Sequence, residues 1–456
     1  MQNSDGGWGW FSGNSEHSYP DTTAEALEAL LYVKEYKKDG KNPAAFEKGV
    51  KYLHSYTEKR LAAIKEKKLV PSETDALVLK VLTQCGKHIP EMEKILLEKK
   101  KYLSPYGLAM LGKALAKNSP QRKEVIRNLY QYLTENRENG TAYLSIPVSF
   151  SCFWYGNDNM TNSAFLSLLL EEDGENSLCT ALARYLAVNI QYSPWRNSTR
   201  SLGKVLQALS EYMLKKGESS TDMEVTLFLN GKEWKKVKVG RKNIWKDLSF
   251  FIEENSQEGK KFLQNGKQDF TVSYTGKGSL LYNLSLSYFS LEDRIKPAGK
   301  EMKIKRQYYK KIPVKTSSSM VDGKGSSVKV QVENYIRKKL VAEEKLLPGD
   351  IVEVELIPES GNDYDYVSLL DPLPAGFEYV NARSGYQWNS FVPVYREYGK
   401  TEARFYLRNL ARGKGNISYE IRAQLPGVYT ALPATGKGEY APLLKCNTQS
   451  QSLAIK

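Results

Sequence analysis

Apolar residues recur three and four positions apart between about Asp21 and Lys216, which is the spacing of one face of an α-helix. A capping-box pattern at Thr22 and Glu25 marks one helix start. Other helix starts are marked by a cap residue before a proline, at Asn42-Pro43, Ser104-Pro105 and Ser119-Pro120. This part of the chain is therefore predicted to form about nine helices.

An aromatic loop, a Ser or Thr cap and a helix rich in Leu and Ala occur together several times. The unit is seen in DGGWGWFSG before Thr22, in FSCFWYGNDNMTNSAFLSLLL and in YSPWRNSTRSLGKVLQAL. Helix pairs that repeat in this way stack on one another, either as an open solenoid or as a closed α/α toroid. Within the repeats we predict that the aromatic residues either pack the corners between helix pairs or form a rim that contacts a ligand: Trp8, Trp10, Phe11, Trp154 and Trp195.

The apolar period changes to two after Glu218, which is typical of β-strands. MEVTLFLNGKEWKKVKV reads as a hairpin that turns at Asn230-Gly231, and LLYNLSLSYFSLED alternates apolar with polar residues. Short alternating runs separated by Gly, Pro and Asn turns follow Lys300, after a lysine-rich linker. The predicted fold is multidomain, α then β: an incomplete α/α toroid followed by antiparallel β-sandwich domains.

Composition and charge limit the partners. The formal net charge of +14 raises the possibility of an anionic partner, but the lysines are spread along the chain, usually beside glutamates. Zinc-finger spacing and the aromatic motifs of RNA-binding domains are both absent from the sequence. We therefore predict a solvated surface and no nucleic-acid partner. Since no run approaches 18 apolar residues, no membrane-spanning segment is predicted either.

Cysteine and histidine chemistry is poorly represented. The four cysteines, Cys85, Cys152, Cys179 and Cys446, lie far apart and form no C-x-x-C pair. The three histidines, His17, His54 and His88, fit no zinc-binding spacing. Accordingly, the sequence predicts no catalytic residue, no metal ligand and no cofactor.

Several segments resemble the C-terminal third of bacterial alpha-2-macroglobulins. They are the opening DGGWGWF, and then IKRQYYK, LLPGDIVEVEL, LLDPLPAGFEYVN, ISYEIRAQLPGVYTALPA and GEYAP. The most specific are the stretch Asp371–Glu378 and the stretch Tyr419–Gly427 with Pro433-Ala434. This resemblance implies a thioester-domain-like toroid at 1–218, a CUB-like β domain at 219–300 and a C-terminal macroglobulin-like β-sandwich at 301–456.

One motif of that family has no counterpart. The family thioester forms in C-x-E-Q, where the Gln side chain acylates the Cys, and no cysteine here has that context. Cys446 has Gln449 at the right distance but lacks the Glu, and it lies in β-patterned sequence. We therefore predict no thioester in this chain. In relatives the motif lies upstream of the DGG segment, so the chain is expected to be a fragment that begins after it.

The resemblance implies a broad-spectrum endopeptidase inhibitor that traps proteases at the bacterial periplasm or cell envelope, with no enzymatic activity. Its expected partners are proteases, bound through the full-length protein, and other domains of the same polypeptide. A membrane would be reached only through an anchor outside this chain. One alternative is a non-inhibitory envelope or adhesion protein that uses the toroid and sandwiches as binding surfaces. Another is a triterpene cyclase, whose QW motif is matched by Gln2, Gly6 and Trp8, but the D-x-D-D acid of those enzymes is missing.

Overall fold

The computed structural model describes the chain outside residues 12–16, 37–42, 138, 147–157, 193–197, 218–220, 245, 247, 279, 281, 283, 290, 292–293, 322–326, 342–343 and 389–392. Two compact units are present. The first comprises residues 1–135, 140–187 and 199–283, and the second comprises residues 136–139, 188–198 and 284–456. A helical region is followed by antiparallel sheets, so the predicted order of α then β is confirmed.

Nine α-helices lie in the described residues between 20 and 216, where the apolar spacing predicts them. They are α1 (Pro20–Tyr36), α2 (Pro43–Lys65), α3 (Glu73–Gln84), α4 (Pro90–Glu98), α5 (Pro105–Ala114), α6 (Pro120–Tyr130), α7 (Asp158–Glu172), α8 (Ser177–Tyr192) and α9 (Thr199–Lys216). A short 3-10 helix covers Lys100–Tyr102.

Side-chain caps begin two helices as predicted. The hydroxyl oxygens of Ser104 and Ser119 each accept a backbone N–H three residues on, at 3.2 Å. The capping box predicted at Thr22 is wrong, because α1 already begins at Pro20 and Thr22 lies inside the helix. A proline at the first helical position needs no hydrogen-bond acceptor for its nitrogen, so α1 can start there without that box.

The odd-numbered helices form a ring. α1 packs against α3, α3 against α5, α5 against α7 and α7 against α9. Ion pairs between α9 and α1 then close the ring. α2 flanks α1 and α3, α4 flanks α2 and α3, and α6 flanks α5. The arrangement is the predicted α/α toroid and not an open solenoid. The sequence predicts an incomplete toroid, whereas the described inner helices close into a ring.

The inner helices opposite that closure are almost entirely buried. Residues 75–82 of α3, most of α5 and residues 160–170 of α7 are shielded from solvent. A glycine permits the closest approach of α5 to α7, because a Cβ at Gly112 would lie 2.7 Å from a methyl carbon of Leu168. Apolar packing therefore holds this side of the ring together.

Short strands and one further helix complete the first unit. They are β1 (Leu133–Asn136), β2 (Thr141–Leu144), β3 (Asp222–Leu229), β4 (Lys232–Val239), α10 (Gln257–Phe262) and β5 (Phe270–Lys277). β1 pairs with β2, and the second sheet has the order β4-β3-β5. Asn230 and Gly231, between β3 and β4, have φ of 51° and 76°. Positive φ at both central residues is what a two-residue hairpin turn requires, so the predicted hairpin is confirmed.

The alternating segment LLYNLSLSYFSLED forms no strand in its described residues, contrary to the pattern. Leu284, Leu286 and Tyr288 are exposed. Alternation determines which side chains would share a face, but a strand also needs the backbone hydrogen bonds of a neighbouring strand.

The second unit contains fifteen strands in its described residues. They are β6 (Met302–Val321), β7 (Ser327–Lys339), β8 (Lys345–Leu346), β9 (Ile351–Ser360), β10 (Tyr364–Pro372), β11 (Phe377–Val380), β12 (Gly385–Trp388), β13 (Pro393–Tyr398), β14 (Glu402–Leu410), β15 (Gly413–Lys414), β16 (Ile417–Ala423), β17 (Gly427–Ala431), β18 (Thr435–Gly438), β19 (Ala441–Asn447) and β20 (Gln451–Ile455).

Two antiparallel sheets enclose the core of this unit. One has the order β12-β13-β14-β10-β18-β19, and the other has the order β11-β16-β9-β6-β7 with β15 beside β9. A three-stranded sheet, β17-β20-β8, adds a smaller layer. One cluster of buried side chains joins the sheets, including Tyr308, Val354, Leu369, Phe405 and Ile421. The predicted antiparallel sandwich is confirmed, while the boundaries predicted at residues 218 and 300 stay predictions.

Candidate functional site

The aromatic residues predicted from the repeats differ in position. Trp8 lies over α2, where a Cβ at Gly49 would be 2.6 Å from the indole ring, and its backbone N–H donates to the hydroxyl of Thr23 at 2.9 Å. Trp10 and Phe11 are instead 46% and 78% exposed. Exposure to this extent favours the rim over the corner for Trp10 and Phe11, and their role stays a prediction. Trp154 and Trp195 lie outside the described residues.

The opening loop is a structural corner. The side-chain amide of Gln2 donates to the carbonyl oxygens of Gly6 at 2.8 Å and Ala45 at 2.7 Å, which ties the loop to the start of α2. Asp5 accepts from the backbone N–H of Gly7 at 3.0 Å. Gly6 has a φ of +90°, and a Cβ there would lie 2.6 Å from a carbonyl oxygen of α2. The Gln–Gly–Trp spacing shared with cyclases thus serves here to hold a loop against a helix.

A cluster of charged side chains lies where α9 meets α1. The α1 face carries Asp21, Glu25, Glu28 and Tyr32, and the α9 face carries Arg200, Lys204, Gln207 and Glu211. Both sets have the same helical spacing and the two helices run parallel, so residues at matching positions face each other. We call these eight residues the polar seam.

The facing residues of the polar seam contact each other directly. Arg200 Nε lies 2.6 Å from Glu25 Oε1, and Lys204 Nζ lies 2.7 Å from Glu28 Oε2. The Tyr32 hydroxyl donates to Glu211 Oε1 at 3.3 Å. Charge-assisted contacts therefore join α1 to α9, in place of the apolar packing that joins the other inner helices.

Glu28 and Lys80 form the buried centre of this region. Lys80 extends from α3 to Glu28 Oε1, and its side chain is 2% exposed. Burial alone would raise the pKa of Glu28, but the positive charges of Lys80 and Lys204 outweigh it and lower that pKa well below its ordinary value. Burial lowers the pKa of Lys80 to about 8, although the Glu28 carboxylate acts in the opposite direction.

A second ion-pair cluster links α5, α6 and α7. Lys113 Nζ lies 3.0 Å from Glu171 Oε1, and Arg122 Nη2 lies 2.9 Å from Glu171 Oε2. Arg122 also contacts Glu172 at 3.0 Å through Nε. Ser167, which also lies on α7, donates to Glu211 of the polar seam. Sequence patterns missed both clusters, since charges at helical spacing are usually solvated.

The chemistry that these clusters could perform is limited. A lysine with a pKa near 8 is a candidate base or nucleophile, but Lys80 is buried and its ammonium group is paired with Glu28. The groove and the hollow described below are both lined by residues of the second unit and not by Lys80. The described residues also contain no cluster of three or more His, Cys, Asp or Glu that could hold a metal ion. We conclude that the charged clusters stabilise the ring.

The cysteine with a glutamine three residues on does not face that glutamine. Cys446 is buried between the sheets and Gln449 is exposed. Burial raises the pKa of the Cys446 thiol to about 12. Burial likewise raises the pKa of Cys179 to about 11, whereas Cys85 is partly exposed and Cys152 lies outside the described residues. Both buried thiols are therefore poor nucleophiles.

Residues 302–442 match the family model of the bacterial alpha-2-macroglobulin MG10 domain. The matched segment covers β6 to β18 and the start of β19. This part of the chain is a macroglobulin-type β-sandwich. The match confirms the predicted relationship to bacterial alpha-2-macroglobulins for residues 302–442. No helix in the described residues has the length and apolar character needed to cross a membrane.

Solved structures similar to the chain are also bacterial alpha-2-macroglobulins. Trypsin-activated alpha-2-macroglobulin from Escherichia coli matches with 15% identity and a TM-score of 0.46, over 100% of this chain and 29% of that one. Salmonella alpha-2-macroglobulin reacted with methylamine matches with 17% identity and a TM-score of 0.37, over 100% and 27%. The native Escherichia coli protein from domain MG7 to the C-terminus matches with 14% identity and a TM-score of 0.36, over 100% and 66%.

The chain thus spans between about a quarter and two thirds of the length of these structures. A search of curated protein sequences finds no match.

Proposed function

We propose that this chain is the C-terminal part of a bacterial alpha-2-macroglobulin-like protein that inhibits proteases by trapping them. The observation that carries the proposal is the match of residues 302–442 to the MG10 domain of that family. An α/α toroid before an MG10 sandwich is the order that the family resemblance implies. The thioester-domain-like assignment of 1–218 and the CUB-like assignment of 219–300 are part of this proposal.

Within such a protein the chain acts without turnover of a substrate. Its most perturbed lysine, Lys80, is buried and paired with Glu28. A trap needs only rigid domains that move relative to a captured protease, and the buried polar seam and apolar core of the ring provide rigidity. The proposed partners are proteases and the other domains of the same polypeptide. The proposed location is the periplasm or cell envelope.

The test is an inhibition assay on the complete product of the gene that encodes this chain. The protein is incubated with trypsin, and residual protease activity is measured on a large protein substrate and on a small chromogenic peptide. Steric enclosure predicts strong inhibition on the large substrate and little on the small one, since only the small substrate diffuses to an enclosed active site. Inhibition should require cleavage, so a catalytically inactive trypsin should cause no change in the migration of the protein.

Two results would contradict the proposal. Equal cleavage of the large substrate with and without the protein would exclude trapping and favour a non-inhibitory envelope or adhesion protein. Equal inhibition on both substrates would indicate a blocked active site instead of a trap. Fractionation of the native cells tests location separately, by asking whether the protein is released with periplasmic markers or stays with the envelope.

A further inference from the structure

The outer face of one sheet in the MG10 sandwich carries an ordered row of side chains. Strand pairing aligns one residue from each of its six strands: Tyr386, Tyr395, Tyr406, Ser368, Lys437 and Lys445. Neighbours along each strand, such as Phe405 and Leu369, point inward to the core. The row therefore crosses the outer face of the whole sheet, and we call it the Tyr–Lys row. Its two lysines are exposed, whereas Ser368 in the middle is buried and donates to Glu439.

The tyrosine half of the row is a continuous aromatic surface. The rings of Tyr386 and Tyr395 are 5.1 Å apart at an angle of 70°, and those of Tyr395 and Tyr406 are 6.2 Å apart at 47°. Tyr386 and Tyr395 are exposed, and the Tyr406 hydroxyl donates to Glu397 at 3.2 Å. Rigid tyrosines that are exposed side by side are typical anchors of protein interfaces.

The lysine half of the row borders a groove of about 680 Å³. Ser368, Lys437 and Lys445 line it together with Arg404 from the adjacent row. Arg404 is paired with Glu402, and Lys437 lies 3.4 Å from Glu439. Lys445 has no ion-pair partner among the described residues, so this end of the groove has an excess of positive charge.

An apolar hollow adjoins the groove. It has a volume of about 380 Å³, shares Leu370 and Thr435 with the groove, and is completed by Pro372, Leu432 and Pro433. Tyrosines at one end, lysines at the other and an apolar hollow beside them form a surface of mixed character. Such a surface fits a ligand that carries both apolar and negatively charged groups.

We propose that the Tyr–Lys row binds an extended segment of a partner protein, with apolar or aromatic side chains over the tyrosines and carboxylates beside Lys437 and Lys445. Six strands about 4.8 Å apart make the row about 24 Å long, which matches about seven residues of extended chain. The groove volume accommodates several side chains of such a segment. Apolar contact provides most of the affinity, and the lysines determine which way round the segment lies.

A uniformly charged polyanion fits this surface less well than a protein segment. Glu397, Glu402 and Glu439 lie among the cations of the same face and would repel a continuous row of phosphates or sulfates. The tyrosine rings also pack at steep angles to one another, so they do not offer the parallel faces on which successive bases stack.

The test is a selection of short random peptides, displayed on phage, against the immobilised 456-residue chain. Selected peptides should combine acidic residues at one end with aromatic or aliphatic residues at the other. Binding of a fluorescein-labelled selected peptide is then measured by anisotropy with the wild type, with Lys437→Glu/Lys445→Glu and with Tyr395→Ala. The matched control is Lys305→Glu, which reverses an exposed lysine on the opposite sheet.

We expect the Kd to rise about tenfold or more for Lys437→Glu/Lys445→Glu and to fall back when the acidic residues of the peptide are replaced by lysine. Tyr395→Ala should also weaken binding, whereas Lys305→Glu should leave it within about twofold. Selected peptides without acidic enrichment, or equal affinity of the double variant and the wild type, would overturn the proposal. A third result would also overturn the proposal: heparin or single-stranded DNA binds tightly, Lys437→Glu/Lys445→Glu abolishes that binding, and peptides fail to bind.

Discussion

Arg306 and Asp371 form an ion pair in which neither side chain reaches solvent. Arg306 on β6 also donates through Nη2 to the carbonyl oxygen of Ala431 at 3.1 Å, and the Tyr419 hydroxyl on β16 donates to Asp371 Oδ2 at 2.8 Å. Both sheets of the sandwich and the neighbouring layer are thus tied to one buried carboxylate. Asp371 is also the first residue of the stretch that carries the family resemblance. Its role in that stretch is to hold this buried network together.

Replacing Asp371 by Ala should lower the free energy of unfolding of the sandwich by about 3 to 5 kcal/mol, because the buried guanidinium of Arg306 would lose its counter-charge. Replacing both residues, as Arg306→Met with Asp371→Leu, should recover most of this loss. Urea unfolding followed by hydrogen exchange of sandwich peptides measures the effect. Arg404→Ala, which breaks an exposed pair with Glu402, is the control and should cost much less than Asp371→Ala. Equal effects of Asp371→Ala and Arg404→Ala would be inconsistent with the buried network.

Trp8 and Trp10 should differ in their contribution to stability. Trp8→Ala removes a ring packed over Gly49 and should cost about 3 kcal/mol, at the lower end for large aromatic truncations because the ring is only partly buried. Trp10→Ala should cost less than about 1 kcal/mol, because its ring is largely exposed. Thermal unfolding of the two variants decides the matter. A larger loss for Trp10→Ala would favour corner packing over an exposed rim for this residue.

Stability of the helical ring should increase with pH above about 8 because of Lys80. Its pKa in the folded protein is about 8, against 10.5 for an unperturbed lysine. The unfolded chain therefore binds more protons between these two values, and the contribution of Lys80 to stability rises with pH across that window. Unfolding free energies of the wild type and of Lys80→Met at several pH values measure this slope.

Lys80→Met should flatten the rise, whereas Lys59→Met, an exposed change on α2, should retain the wild-type slope. The tyrosines with raised pKa, such as Tyr106, act in the opposite direction above about pH 10, so the comparison is best made below that value. Parallel curves for wild type and Lys80→Met would show that Lys80 does not titrate in this range.

Methylamine should not modify the chain. A thioester would release a thiol and add mass at a glutamine, whereas Cys446 is buried and Gln449 is exposed. Burial also raises the pKa of the Cys446 thiol to about 12, which leaves it protonated at neutral pH. Intact mass and the number of thiols titrated after denaturation should be the same with and without methylamine. An adduct mapped to Gln449 would place a reactive site in the C-terminal strands.

The fold was largely predictable from the sequence, and the contacts between distant elements were not. Helical spacing and the Ser-Pro caps are local, so they predict α5 and α6 directly. The Asn230-Gly231 turn is also local, and its positive φ values follow from the residues themselves. By contrast, the alternating segment with Leu284 and Leu286 reads as a strand but forms none, because pairing depends on a partner that the pattern does not contain.

Among the functional residues, the sequence by itself determined the family resemblance, since motifs such as Asp371–Glu378 are contiguous. Only the tertiary structure decided that Trp8 is packed while Trp10 is exposed, and that Tyr32 meets Glu211 across 179 positions. Burial and charge pairing depend on which elements become neighbours, and these neighbours are determined by the fold of the whole unit. The Tyr–Lys row has the same origin: its six residues come from six strands and share a face only because the register aligns them.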